Sequence, residues 1–244
     1  MATPSKAQFL TDVQALLKKR YKVGPIVEKM SILEAVVYAI CHEDSTREQA
    51  NQALARFKGD FFDWNEVRVS SLEEIQGVLA GMTDVEGRAF RIRRFLRQMF
   101  EKTYGFNLDA LTKKPQKDSI KALEEYDAMG SDFVLATVTR LALAGHAIPV
   151  DASCLRALLR LGVAEEATDI PTLRGLLERA VPKNRGAEFG ELIEALAHDT
   201  CVEGEPDCPA CELRKVCPTG LSHKAEPVAS AAKAPVKGKS GKPK

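Results

Sequence analysis

Apolar residues recur along this chain at helical spacing, and no segment alternates with the period of a strand. Leu10, Val13, Leu16 and Leu17 form a first stripe. The stretch SILEAVVYAICHED opens on Ser31, a good N-cap, and continues almost wholly apolar, which predicts a central helix. Ser45 or Thr46 caps the next helix, TREQANQALARF, with Lys58-Gly59 as its expected end. Ser70-Ser71 before Leu72-Glu73-Glu74 opens a short one. Gly87 precedes RAFRIRRFLRQMFEKTYG, where Phe90, Ile92, Phe95, Leu96, Met99 and Phe100 are the apolar positions. Arg88, Arg91, Arg93, Arg94 and Arg97 are left on the other face. SIKALEEYDAMG, SDFVLATVTRLALAGHA, VDASCLRALLRLG, IPTLRGLLERAVP and GAEFGELIEALAHDTC complete the series. The expected fold is all-α. Residues 221–244, rich in Lys, Ala and Pro, have almost nothing to bury and are expected to be disordered.

Composition adds limits. With 244 residues, 45% of them hydrophobic, the chain can bury one large core or two small ones. The N-terminus MATPSKAQFL is polar, and no apolar run approaches the roughly 18–20 residues of a membrane span. The expectation is a protein of the reducing cytosol. The net charge of +1 is uneven: residues 221–244 carry +5 and the remainder −4. A positive arm of this kind suits a polyanion, through contacts that are independent of sequence and weaken with salt. The arginine face can touch nucleic acid or simply be solvated.

Four of the six cysteines follow in close order, Cys201-x6-Cys208-x2-Cys211-x5-Cys217. In a reducing compartment such a set binds metal more often than it forms disulfides. Four thiolates in a short loop suit a structural zinc or a [4Fe–4S] cluster, and the spacing alone leaves both open. Cys41 and Cys154 lie in apolar periodic segments and are expected to be buried bystanders.

The cysteine spacing, after about 200 helical residues, resembles that of the endonuclease III family of DNA glycosylases. The likeness covers roughly residues 10–217. MSILEAVVYAICHEDS is similar to the family's early buried helix, ALEEYDAMGSDFVLA to its helix-hairpin-helix, AIPVDASCLRAL to its Val-Asp segment, and ELIEALAHDTC to the helix leading into the cluster. DWNEVR and the Leu-Glu-Glu-Ile helix after it are also similar to the plant 5-methylcytosine glycosylases of the same superfamily. The resemblance implies two helical lobes with DNA between them: a central barrel over 25–144, and a lobe of 1–24 with 145–220. It also implies a [4Fe–4S] cluster on Cys201, Cys208, Cys211 and Cys217, with zinc as the alternative. The partner it implies is double-stranded DNA with a damaged or mispaired base, bound by a monomer in the nucleoid-containing cytoplasm.

The same resemblance marks Asp151 as the acidic residue that assists base removal, although Asp is equally an N-cap for the helix after it. It marks Met129, Gly130 and Ser131 as the hairpin contact to nucleic acid. The departures are informative. The family hairpin is close to L-P-G-V-G-R-K-T-A, and its lysine forms a Schiff base with the sugar. Here Asp127 stands in the proline place, Ala128 at the first glycine and Asp132 at the lysine, and a carboxylate has no amine chemistry. The implied activity is a monofunctional glycosylase without lyase activity; the alternative is an inactive [4Fe–4S] member that binds nucleic acid. Glu203, Glu205 and Asp207 add negative charge to the cysteine loop, and Cys41 replaces a typical glutamine. His42 could face the cleft as a proton-transfer group but is expected rather to cap or to face solvent, and His198 to pack beside the cysteine loop.

Overall fold

Short-range signals set the helix starts. A computed structural model describes residues 5–24 and 30–223. In α2 (Ile32–His42), α3 (Arg47–Asp60) and α5 (Leu72–Val78), the caps Ser31, Thr46 and Ser71 each form a reciprocal capping box with Glu34, Gln49 and Glu74. Each such cap stabilises its helix by about 1 kcal/mol. The other helices are α1 (Lys6–Leu17), α4 (Trp64–Val69), α6 (Val85–Thr103), α7 (Gln116–Leu123), α8 (Asp132–Leu141), α9 (Ala152–Arg160), α10 (Ile170–Ala180), α11 (Lys183–Asp199) and α12 (Pro218–Ser222). No strand occurs among the described residues.

Two boundaries differ from expectation. Gly59 does not stop α3, because it stays out of the left-handed region; the helix ends where Phe61 turns extended. Gly87 lies inside the first turn of α6 rather than before it. The cap is Asp84, whose carboxylate accepts from the Gly87 amide at 3.2 Å and occupies the space that a Cβ there would need.

The apolar faces close two separate cores. Helix α2, with ten of its eleven residues buried, packs on α3 and α8 at the centre of the first core, joined by Phe57, Phe95 and Leu96. The second core joins Leu10, Val13 and Leu17 of α1 to α9, α10, α11 and Leu213. Truncating a core leucine to alanine in either typically costs 2–5 kcal/mol.

Helix α6 corrects the reading of its arginines. Arg88 is buried at 4% exposure and is no part of a solvated face. Its guanidinium donates to the carbonyls of Ile40, Cys41, Glu43 and Thr83 and to the hydroxyls of Ser45 and Thr83, closing the C-terminal end of α2. Its phase explains this: Arg88 lies on the same stripe as Ile92, Phe95, Leu96 and Met99, and Phe90 lies off it at 51% exposure. The expected disordered segment also starts late, since Leu221 and Ser222 complete α12; residues 224–244 lie outside the described residues.

Candidate active site and cysteine cavity

Helix α9 begins where the two cores meet. Its N-cap is Asp151, buried at 4%, whose Oδ1 accepts from the Cys154 amide at 2.7 Å. A second carboxylate reaches the same helix end from the other core: Asp44 Oδ1 accepts from the Ala152 amide at 3.1 Å. Asp44 holds a left-handed backbone at φ 51°, which is costly for a residue with a side chain. Burial, and then the charge of Asp151, push its carboxyl above the ordinary range. Neither acid has an ion-pair partner among the described residues. The Cys154 thiol is raised far by burial and is inert.

Beside Asp151 lies a narrow cleft lined by His42, Phe133, Arg140, Glu191 and Glu194, with room for little more than a water molecule. His42 is buried, not exposed, and bonds Glu194 Oε1 at 2.9 Å, while its Nδ1 has no partner. Burial alone would raise the Glu194 carboxyl; the bond to His42 and the nearby charges outweigh it and hold the group low. Glu191 goes the other way, since burial outweighs Arg47 at 2.9 Å and Arg140 at 3.8 Å. His198 lines a groove beside Tyr21, Arg47 and Glu194 rather than the cysteine cavity itself.

The hairpin precedes α8 as a short 3-10 turn, Asp127–Gly130, followed by Ser131 as N-cap. Met129 is buried, Gly130 exposed, and the Ser131 hydroxyl accepts from the Val134 amide and donates to Glu43. Asp132 is held in a two-pronged ion pair by Arg174 of α10, with N–O distances of 2.8 and 2.9 Å. That pair, and the bond to Glu178, raise Arg174 well above the ordinary range. Asp127 is bound by Arg94, and its amide donates to Gln98. The two acids of the hairpin are therefore each paired with an arginine.

Cys201, Cys208, Cys211 and Cys217 line one apolar cavity with Ala157, Leu161, Leu196 and Leu213. No three His, Cys, Asp or Glu side chains converge on a single-ion site among the described residues. Helix α9 straps this loop. Arg156 donates to the carbonyls of Ala197 and Cys201, Arg160 to those of Val202 and Gly204, and Cys217 Sγ meets the Arg160 carbonyl at 3.2 Å. The acidic loop residues are partly spent inside it: Asp207 caps a turn through the Ala210 amide and Glu205 pairs with His223 at 2.7 Å.

No protein-family model matches the sequence, and no curated protein sequence matches it. Solved structures do match. A non-covalent endonuclease III–DNA complex superposes with a TM-score of 0.70 at 17% identity, over 90% of this chain and 98% of that one. A thermostable thymine-DNA glycosylase follows with a TM-score of 0.63 at 17% identity, over 88% and 97%. The H. pylori 3-methyladenine DNA glycosylase bound to 1,N6-ethenoadenine gives 0.58 at 13%, over 79% and 97%. The fold is that of the helix-hairpin-helix DNA glycosylases.

Within this glycosylase fold, Asp151 and the hairpin come to the boundary between the cores, and the cysteines lie at the far end of the same helix that Asp151 caps. Sequence reasoning missed Asp44, Arg174 and the His42–Glu194 pair. The only local sign of Asp44 was its place in the polar turn after α2. Nothing near Asp132 in the sequence announces Arg174, 42 residues away.

Proposed function

We propose that this protein is a DNA glycosylase of the endonuclease III kind, acting on duplex DNA that carries a damaged or mispaired base, and that it hydrolyses the base–sugar bond without forming a Schiff base. Two lobes, 25–144 and 1–24 with 145–220, would clasp the duplex; their separate hydrophobic cores support that division. The observation that carries the reading is Asp151: a buried carboxylate with no ion-pair partner among the described residues, at a helix start on the boundary between the cores, while the lysine place is an aspartate paired with Arg174. In the reaction, the bond from C1′ to the base nitrogen breaks and the oxygen of a water bonds to C1′. The water's proton passes to Asp151 and the departing base takes up a proton. The carboxylate stabilises the cationic sugar on the way. Met129, Gly130 and Ser131 would meet the backbone of the flipped strand. The enzyme would act as a monomer on nucleoid DNA.

Cys201, Cys208, Cys211 and Cys217 would hold a [4Fe–4S] cluster. Four thiols gathered around one apolar cavity are a donor set that suits such a cluster, with zinc as the alternative. When bound, the cluster supplies a staple for the loop that Arg156 and Arg160 already strap. Anaerobic purification should give a brown protein with about four irons per chain, and Cys208→Ser should lower the iron content. Colourless, iron-free protein would reject the cluster.

The second reading, an inactive nucleic-acid-binding member, is favoured by the narrowness of the cleft beside Asp151, which admits no base unless the lobes part. Base release from a panel of damaged and mismatched duplexes decides between the two. Release that disappears in Asp151→Asn supports the enzyme; no release from any duplex, with DNA still bound, supports the second reading.

A further inference from the structure

The outer face of α6 is left unused by the reading above. Phe90, Arg93, Arg94, Arg97 and Gln98 line an open groove along it, with Glu101 at its end. Phe90 is half exposed, with no aromatic partner among the described residues. Arg97 is exposed and makes no hydrogen bond or ion pair among the described residues. Arg93 has only a long bond to the Ser70 carbonyl at 3.4 Å.

The groove is fastened to the hairpin. Arg94 grips the Asp127 carboxylate and Gln98 accepts from the Asp127 amide, so the arginine face continues directly from the turn that carries Met129 and Gly130. Arg93 and Arg97 are one helical turn apart, about 6 Å along the axis, close to the spacing of successive phosphates on one strand. Arginine is suited to phosphate by its fork of donors, and an aromatic ring adds contact to a sugar or base face.

We propose that this face binds the sugar–phosphate backbone of the DNA strand that continues past the hairpin, with successive phosphates on Arg93 and Arg97 and Phe90 against a deoxyribose. The inference rests on the DNA-binding reading above and extends the footprint beyond the hairpin and the lobe boundary. It makes Arg93 and Arg97 contributors to affinity, independent of base identity.

The test uses the full chain and a duplex with a stable abasic-site analogue, its affinity read by fluorescence anisotropy over a sodium chloride series. Two neutralised contacts should make the slope of log K against log salt shallower by nearly 2 in R93Q/R97Q, with about tenfold or greater weakening at low salt. Arg94 is kept so that the hairpin stays anchored. Phe90→Ser should weaken binding several-fold and leave the slope unchanged, and circular dichroism melts check that both variants fold. An unchanged slope and affinity in R93Q/R97Q overturns the proposal. If base release still depends on Asp151, the glycosylase reading survives that result; if the wild-type chain binds no duplex at all, both fall. Polyglutamate binding that R93Q/R97Q loses, with DNA binding intact, would give the face to an acidic protein and likewise overturn it.

Discussion

Two helix starts, those of α8 and α9, meet at the boundary between the cores and are built alike, yet their carboxylates have opposite fates. At α8 the cap is Ser131, and the first-turn Asp132 is locked into the guanidinium fork of Arg174. At α9 the cap is Asp151, whose neighbour is another acid, Asp44, and neither has an ion-pair partner among the described residues. A neutralised carboxylate satisfies a helix and joins two elements, but it has little charge left for a substrate. An unbalanced pair stays available for a developing positive charge and costs some stability. Under the function proposed above, the first helix start serves structure and the second serves chemistry.

The strongest way to break that comparison is Asp151→Asn. Asparagine caps helices about as well as aspartate, so the melting temperature should hardly move. Single-turnover base release should fall by about 10²–10⁴, the usual contribution of a positioned acid–base group. Full activity in this variant would return Asp151 to a purely structural role. The companion change, Asp132→Asn, should leave base release within a few-fold of wild type. Borohydride reduction on abasic DNA should trap no adduct in either variant or in the wild type, and a covalent band would show an amine nucleophile elsewhere in the chain.

Next in size is Arg174→Met. Asp132 and Glu178 lose a shared cation in a half-buried site, and denaturant melts should show a loss of about 1–2 kcal/mol. The same substitution on Asp132→Asn should cost less, because the charge left unpaired is already gone. Equal costs in the two backgrounds would mean that the fork contributes nothing through charge.

What could be read from the chain ahead of the fold divides along the same line. Ser31, Thr46 and Ser71 announced their helices because a cap and its partner lie three residues apart. The cysteine run was legible for the same reason. Arg88 was legible in principle: its phase puts it on the apolar stripe of α6, but five arginines in ten residues suggested a solvated face. Asp44, Arg174 and the His42–Glu194 bond were not legible, since their partners lie 108, 42 and 152 residues away and no local pattern encodes them. The charge balance of the site is thus a property of tertiary pairing. Asp132 and Asp151 are both aspartates at helix starts, and it is the fold that gives one an arginine and the other a second acid.

The smallest expected effect probes that balance most directly. Asp44 has its carboxyl raised by burial and by Asp151, so its folded value lies above the unfolded one. Its ionisation therefore opposes folding: the stability is fully present below the unfolded value near 3.8 and is lost as pH rises through the folded value. Asp44→Asn keeps an oxygen to accept from the Ala152 amide, removes the charge and suits the left-handed backbone. It should stabilise the protein at neutral pH by a few tenths of a kcal/mol, since about half of the group is solvent-screened. The gain should shrink as pH falls below the folded value, with only the backbone contribution left in acid. Glu194 works in the opposite sense, because its lowered carboxyl contributes stability above about 4.5 that is lost as the pH falls. Stability curves of wild type and Asp44→Asn measured side by side cancel the Glu194 contribution and leave that of Asp44. A gain of the same size at all pH values would locate the effect in the backbone and remove the carboxylate pair from the argument.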